Sequence, residues 1–268
     1  NQAGGAGAIE VASIGDSDTY GVTGVSRIGN TATATLTLDG TTYKFDGATT
    51  FTAAAGENID LTAGSATTFT TAADAITFGT GTIELADGSD LTINSAGGAI
   101  TIVSIMGTSS EDVTLNTGTG ATNTETVSVG AIGTSDEINT IAITGADGIT
   151  LTGNITTSDA SGNSVTLTGA VTLGADITID TDNSTNDGAV TFTSTINGAG
   201  GDDDLDITSG GGAVTISGVV GGTGTLASLD INQASGATGT ITISEDIGDG
   251  DTIGVTGVTR IGNTSTAT

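Results

Sequence analysis

Carboxylates supply most of the chemistry this sequence offers. Against 31 Asp and Glu stand three cations, Arg27, Lys44 and Arg260, and there is no His and no Cys. The acids gather at glycine-rich turns. GDSD at 15–18 holds Asp16 and Asp18, and GDGD at 248–251 holds Asp249 and Asp251. Paired Asp residues on such a turn offer the oxygen ligands that a hard cation such as calcium takes. The competing use is local, with each Asp capping its own backbone. The stretch DTDNSTNDG at 180–188 is richer, holding Asp180, Asp182 and Asp187. It lacks the spaced terminal Glu of an EF-hand loop, and no helices flank it. GGDDDLD at 200–206 is the densest charge run. No nonapeptide period follows it, as a calcium-binding β-roll would need, so it reads as a solvated loop. Calcium at Asp16, Asp18, Asp180, Asp182, Asp187, Asp249 and Asp251 is the one cofactor these residues suggest.

Catalysis has little to work with. Without His or Cys the usual acid–base and thiol groups are missing. Paired carboxylates alone can cleave glycosidic bonds, but a sugar chain must also be gripped, and seven Tyr or Phe and three cations are few for that. GGTGTL at 221–226 has no GK[ST] after it and opens no helix, so it is not a phosphate loop. The chain is expected not to be an enzyme. Its formal charge of −28 argues against nucleic acid, which needs cations on its phosphates, and against anionic membrane surfaces. It favours solubility and the attraction of divalent cations. No apolar run approaches the ~20 residues that span a bilayer.

The elements that must carry these groups are short strands. ITI, VTI, VTL and LTI recur at 91–93, 113–115, 165–167, 171–173, 177–179, 214–216 and 241–243. Alternation of β-branched residues at period two is the half-buried strand pattern. The breaks are Gly, Asn, Asp and Ser, which tolerate positive φ. No segment sustains helical spacing between caps, so the chain reads as all-β. Its apolar residues are mostly aliphatic, which predicts a narrow core of stacked Ile, Val and Leu with Thr outside.

A long internal echo orders the rest. GVTGVSRIGNTATAT at 21–35 returns as GVTGVTRIGNTSTAT at 254–268, matching at 13 of 15 positions. NQAGGA at 1–6 returns as NQASGA at 232–237, so Asn1 to Asn232 and Gly21 to Gly254 span nearly the same interval. We read residues 1–231 as one long repeat and 232–268 as the continuous opening of the next, a window on a tandem array. Tandem β-sandwiches, the alternative fold, would repeat every ~100 residues and use longer strands. Strands of three to five residues with glycine-rich corners fit a parallel β-solenoid better. Coils of roughly 20–30 residues at ~4.8 Å each would place about 8–11 coils in the long repeat.

Segments such as VTLTGAVTLGADITIDT (165–181), GAVTFTSTINGAG (188–200) and GGGAVTISGVVGGTGTLASLDI (210–231), with the stretch 43–72, resemble the repeats of giant bacterial surface adhesins of the filamentous-haemagglutinin-like class. The resemblance implies a right-handed parallel β-solenoid and export to the bacterial cell surface. It carries no functional residues over. The function expected is a structural rod, an adhesin stalk or extracellular filament, with further copies of the repeat as its partners. End-to-end self-assembly and lateral rod–rod contacts belong to the same reading. The alternative is a calcium-dependent module binding a glycan or cell-surface ligand. Arg27 and Arg260 recur in the echoed motif and are expected to pair with carboxylates on an adjacent coil or a neighbouring rod. Alternating Thr at 31–37 and 191–195 resembles an ice-binding face, although Thr is also a generic strand residue.

Overall fold

Apolar–Thr alternation turns one side chain inward and the next outward, and the chain exploits this at nearly every rung. The computed structural model describes residues 5–16, 18–118, 125–232 and 236–263. Among them are 26 strands of two to seven residues and no helix. The strands stack in parallel into a β-solenoid of about nine turns, not into sandwiches.

Three ladders run the length of the solenoid. The first holds Ser26–Gly29, Thr49–Thr52, Ile76–Gly79, the starts of Ile100–Met106 and Val127–Ile132, then Ile149–Leu151, Val171–Leu173 and Ile196–Gly198. It continues as single bridges at Val220 and Ile247. The second begins at Ile9–Val11 and Leu36–Leu38 and ends at Ser228–Ile231 and Thr259–Ile261. The third runs from Thr42–Phe45 to Ile241–Ile243. Ile100–Met106 and Val127–Ile132 each pass from the first ladder into the second, joining the two as one sheet. In-register partners such as Leu91 with Val113, or Leu229 with Thr259, are one coil apart, and their spacing lies in the range the sequence led us to expect.

Like stacks on like inside. One column of the second ladder reads Ile9, Leu36, Ile59, Ile83, Ile105, Ile132, Ile155, Ile179, Ile207, Ile231, Ile261. From Leu36 to Ile231 every member is buried. Each buried Leu or Ile contributes about 1.5–3 kcal/mol of apolar transfer, so this column alone is a large share of the driving force. The core is not purely aliphatic, however. Tyr43, Phe45, Phe51, Phe69 and Phe78 form one fully buried aromatic cluster in the N-terminal coils. Tyr43 stacks on Phe69 and Phe51 on Phe78, each pair with centroids 4.8 Å apart, and Phe69 meets Phe78 edge-on at 5.2 Å. The Tyr43 hydroxyl donates to the Val11 carbonyl at 2.6 Å and accepts from the Gly40 amide at 3.0 Å. Burial pushes its pKa up to about 12.

The corners are tight. Where coils enter the third ladder, Gly188, Gly212 and Gly239 stack on one another. A Cβ on Gly212 would strike the Gly188 carbonyl, and one on Gly239 would strike the Gly212 carbonyl. Glycine is required there by the close approach of successive coils.

Outside, the ladders differ in chemistry. The third presents Thr42, Thr68, Thr92, Thr114, Ala142, Thr166, Thr191, Thr215 and Thr242 in register. The first presents Arg27, Thr50, Thr77, Thr101, Ser128, Thr150, Thr172 and Asn197. The Thr array therefore runs across coils. Thr31–Thr35, read as an alternating run along the chain, is instead a turn, with Thr33 buried and its hydroxyl accepting from the Asn30 amide at 2.9 Å. Acids within strands lie on the second ladder, at Glu10, Asp60, Glu84, Asp180, Asp204, Asp206 and Asp230; Asp112, which opens a third-ladder strand, is the exception.

Candidate functional site

At the corner between the second and third ladders, consecutive coils lay one polar turn on another. At 157–163, 181–188 and 209–212 these turns are cross-linked by side chains. Asp159 accepts from the Ser184 hydroxyl (2.7 Å) and from the amides of Thr185 (3.0 Å) and Asn186 (2.7 Å). Asn183 donates to the carbonyls of Thr157 (3.1 Å) and Ser158 (2.9 Å), and Asn163 to that of Asn186 (3.0 Å). The hydrogen bond from Ser184, with those from Asn186 and Thr185, holds Asp159 below the usual carboxylate range.

The candidate calcium residues of this loop divide. Asp187 accepts from the Asn183 amide at 3.0 Å and, on the next coil, from the Gly211 amide at 2.6 Å. Asp182 points to the same place, since a Cβ on Gly210 would collide with both carboxylates. Burial, then the charges of Asp187 and Asp180, push Asp182 up. Asp180 accepts from the Asp182 amide at 3.1 Å and stands at the strand end on the second ladder. The structure thus brings Asp182 and Asp187 together over Gly210, where the backbone has φ of +53°.

Asp16 and Asp249 behave as twins. Asp16 accepts from the amides of Asp18 (2.9 Å) and Thr19 (2.8 Å), and Asp249 from those of Asp251 (2.9 Å) and Thr252 (2.7 Å). These backbone hydrogen bonds hold both carboxyls below their ordinary value. Asp18 and Asp251 each contribute an amide to the turn, and the two turns lie in the first and last coils. The side chains cap their own backbone, as the local reading requires. Among the described residues, no group of three or more His, Cys, Asp or Glu side chains is arranged to hold a metal ion.

GGDDDLD is not a loop throughout, contrary to its reading from sequence. Asp204–Thr208 is a strand, because Leu205 and Ile207 are inward members of the second ladder and are fully buried. Asp203 is buried and accepts from the Gly200 amide at 3.1 Å. Asp206 stacks in register on Asp230, which in turn meets Arg260. The Arg260 guanidinium contacts Asp230 at 2.8 Å, the adjacent-coil pairing expected of that Arg. Arg27 lies in register with Thr50. Burial, then the charge of Asp230, push Asp206 up, and burial with Glu84 does the same to Asp60.

One acid escaped the sequence reading altogether. Glu111 is fully buried and faces no cation in its hydrogen-bond set. Its carboxylate accepts from the amides of Gly88 (3.1 Å), Thr108 (2.6 Å) and Ser110 (3.3 Å) and from the hydroxyls of Thr108 (2.8 Å) and Ser110 (3.0 Å). Burial raises its pKa, but the donors, Thr108 foremost, outweigh it and leave the group lowered. The signal was the run GTSSE at 107–111, a Glu closing a turn of small hydroxyl residues.

A recess of about 220 Å³ is lined by Thr195, Asn197, Val219, Gly222, Thr223 and Asp249, with Asp249 as its one carboxylate. Among the described residues no helix is long and apolar enough to cross a membrane. Comparison with protein families, with curated proteins and with solved structures finds no match.

Proposed function

We propose that this chain is a structural rod segment of a long repetitive extracellular protein, a stalk or filament of a bacterial surface adhesin. One observation carries the reading. The second copy of the long repeat joins the first by stacking: Thr259–Ile261 adds directly to Ser228–Ile231, and Ile241–Ile243 to Val214–Ile216. A repeat that continues its predecessor's ladders makes a rod, because each coil is stabilised by the coils above and below it. The mechanism is mechanical. Backbone hydrogen bonds run along the axis, aliphatic columns fill the interior, and the negative surface keeps rods apart. Lateral contact, where it occurs, falls on the acid-free Thr-rich columns of the first and third ladders. Electron microscopy and fibre diffraction of the parent filaments test this. A continuous rod with a ~4.8 Å axial spacing is expected, and beads without that spacing would refute it.

A second reading, a calcium-dependent module that binds a glycan or cell-surface ligand, draws on the convergence of Asp182 and Asp187 over Gly210. A calcium-dependent rise in melting temperature that D187N abolishes would favour it. Equal melting with calcium and with chelator would remove it.

A further inference from the structure

The two copies of the repeat do not lie on the same faces of the rod. Ile9–Val11 belongs to the second ladder, whereas its counterpart Ile241–Ile243 belongs to the third. Ile14 bridges to Tyr43 on the third ladder, and its counterpart Ile247 bridges to Val220 on the first. Ser26–Gly29 is on the first ladder, and its counterpart Thr259–Ile261 is on the second. All three landmarks move by one ladder, in the same direction. The count agrees. Nine coils carry the second-ladder column from Ile9 to Ile231, and Ile241 is the next strand along the chain. The long repeat is nine coils and one face.

We infer that in the tandem array each repeat is turned by one face of the three-sided rod relative to the one before it. The inference rests on the array reading above. Its consequence is for surfaces. Strand acids such as Asp60, Glu84, Asp206 and Asp230 occupy the second ladder here, so their counterparts in the next repeat occupy the third. The acidic strip winds round the rod and returns to its starting side after three repeats, about 28 coils or roughly 130 Å at ~4.8 Å per coil. No side of a long rod stays uncharged throughout. A neighbouring rod of the same chain meets an acid-free side in patches, and cannot close along its full length.

The motif's phase can be read in this chain, which has no native Cys. In the D230C/R260C variant, mild oxidation is expected to give an intramolecular disulfide, since in-register neighbours on a parallel ladder have the Cα separation a disulfide needs. D206C/D230C, one rung lower on the same face, is the control for folding and reactivity. As a second measurement, R260K treated with a zero-length carbodiimide should yield a peptide joined between positions 230 and 260. A link in either variant supports the one-face shift. Absence of the 230–260 link from both, while D206C/D230C closes, overturns it. Failure here leaves the rod itself standing, and failure of the axial spacing in filaments leaves only the offset between the two copies within this chain, so the two are separable.

Discussion

Replacing Glu111 should cost more than replacing any exposed acid in this very acidic chain. The side chain is fully buried and five donors converge on it. The Gly88 amide comes from the preceding coil, while Thr108 and Ser110 belong to Glu111's own turn, so the carboxylate ties two coils together. A hydrogen bond to a charged group is worth about 1.5–3 kcal/mol, and a buried donor left without a partner costs about 1–3 kcal/mol. These terms are not additive, and water replaces part of the loss. The expected total for E111A is about 3–5 kcal/mol. E111Q keeps one acceptor oxygen but turns an NH₂ group towards other donors, for about 2–4 kcal/mol. In a chain this long each kcal/mol lowers Tm by about 2–4 °C, so E111A should melt at least ~6 °C lower. The sign with pH follows from the lowered pKa. The stabilisation is complete above the unfolded-state value of about 4.3 and is lost as pH falls through the folded value. E111Q should therefore flatten the acid limb of the stability curve. Circular-dichroism melts at pH 7 and across pH 3–5, with hydrogen exchange at the Thr108 and Gly88 amides, provide the readout. E245Q, at an exposed acid, is the control. If E111A lost no more than E245Q, within the ~0.5 kcal/mol typical of surface substitutions, the donors would be satisfied without the carboxylate.

The opposite sign is expected at Asp206, which stacks on Asp230 and is pushed up by burial and that charge. Asp230 also keeps one buried oxygen without a partner, so D206N removes a repulsion and supplies a donor. It should raise stability at pH 7 by about 0.2–1 kcal/mol, with the gain vanishing as pH falls through the raised Asp206 value; an unchanged or lowered Tm at pH 7 counts against this. In the N-terminal coils, F69A opens a cavity among Tyr43, Phe51 and Phe78 and should cost about 3–5 kcal/mol. Hydrogen exchange should place the loss in the coils that contain Phe51 and Phe78, and uniform deprotection along the rod would contradict nearest-neighbour stabilisation. At the corner, G210A meets both Asp182 and Asp187 and a positive φ. It should destabilise by about 1–3 kcal/mol and, if it melts like the parent, the convergence of those carboxylates is not as tight as described.

Much of the fold was legible because the code is local. Apolar–Thr–apolar runs fix which side chains point inward, and the recurrence of glycine-rich breaks fixes the coil. What no single coil reveals is its neighbour across the stack. Asp206 and Asp230 are separated by a full coil of ordinary-looking sequence, and only the register puts one carboxylate above the other. The same blindness hid the aromatic cluster, since Tyr43, Phe51, Phe69 and Phe78 look like scattered aromatics until three coils are superposed. It also made GGDDDLD read as a loop. The charges at Asp204 and Asp206 masked the inward pair Leu205 and Ile207 between and beyond them. At the candidate calcium residues, composition alone could not separate a ligand set from turn caps. Asp16 and Asp249 proved to be caps, whereas Asp182 and Asp187 converge through a glycine on the next coil.

The distribution of charge follows from this geometry. On a parallel solenoid an outward residue lies directly between its counterparts on the coils above and below, about 4.8 Å away, so a column of acids is repulsive at a range that salt screens little. A chain with 31 acids must either accept that repulsion or move its acids to the corners. It does mostly the latter. Eight acids lie in strands and 23 in turns and loops, where the carboxylates can splay apart or be neutralised by backbone amides, as at Asp16, Asp159 and Asp249. The strand acids that remain are interrupted by Thr or Met, or ended by a cation. Asp60 and Glu84 are followed by Met106, and the Asp206–Asp230 column closes on Arg260. Arg260 belongs to the repeated motif, and its twin Arg27 faces Thr50 instead. The in-register neighbour of the same residue is thus an acid in one copy and a Thr in the other, and this difference of register arises from the one-face offset between copies, not from the motif itself.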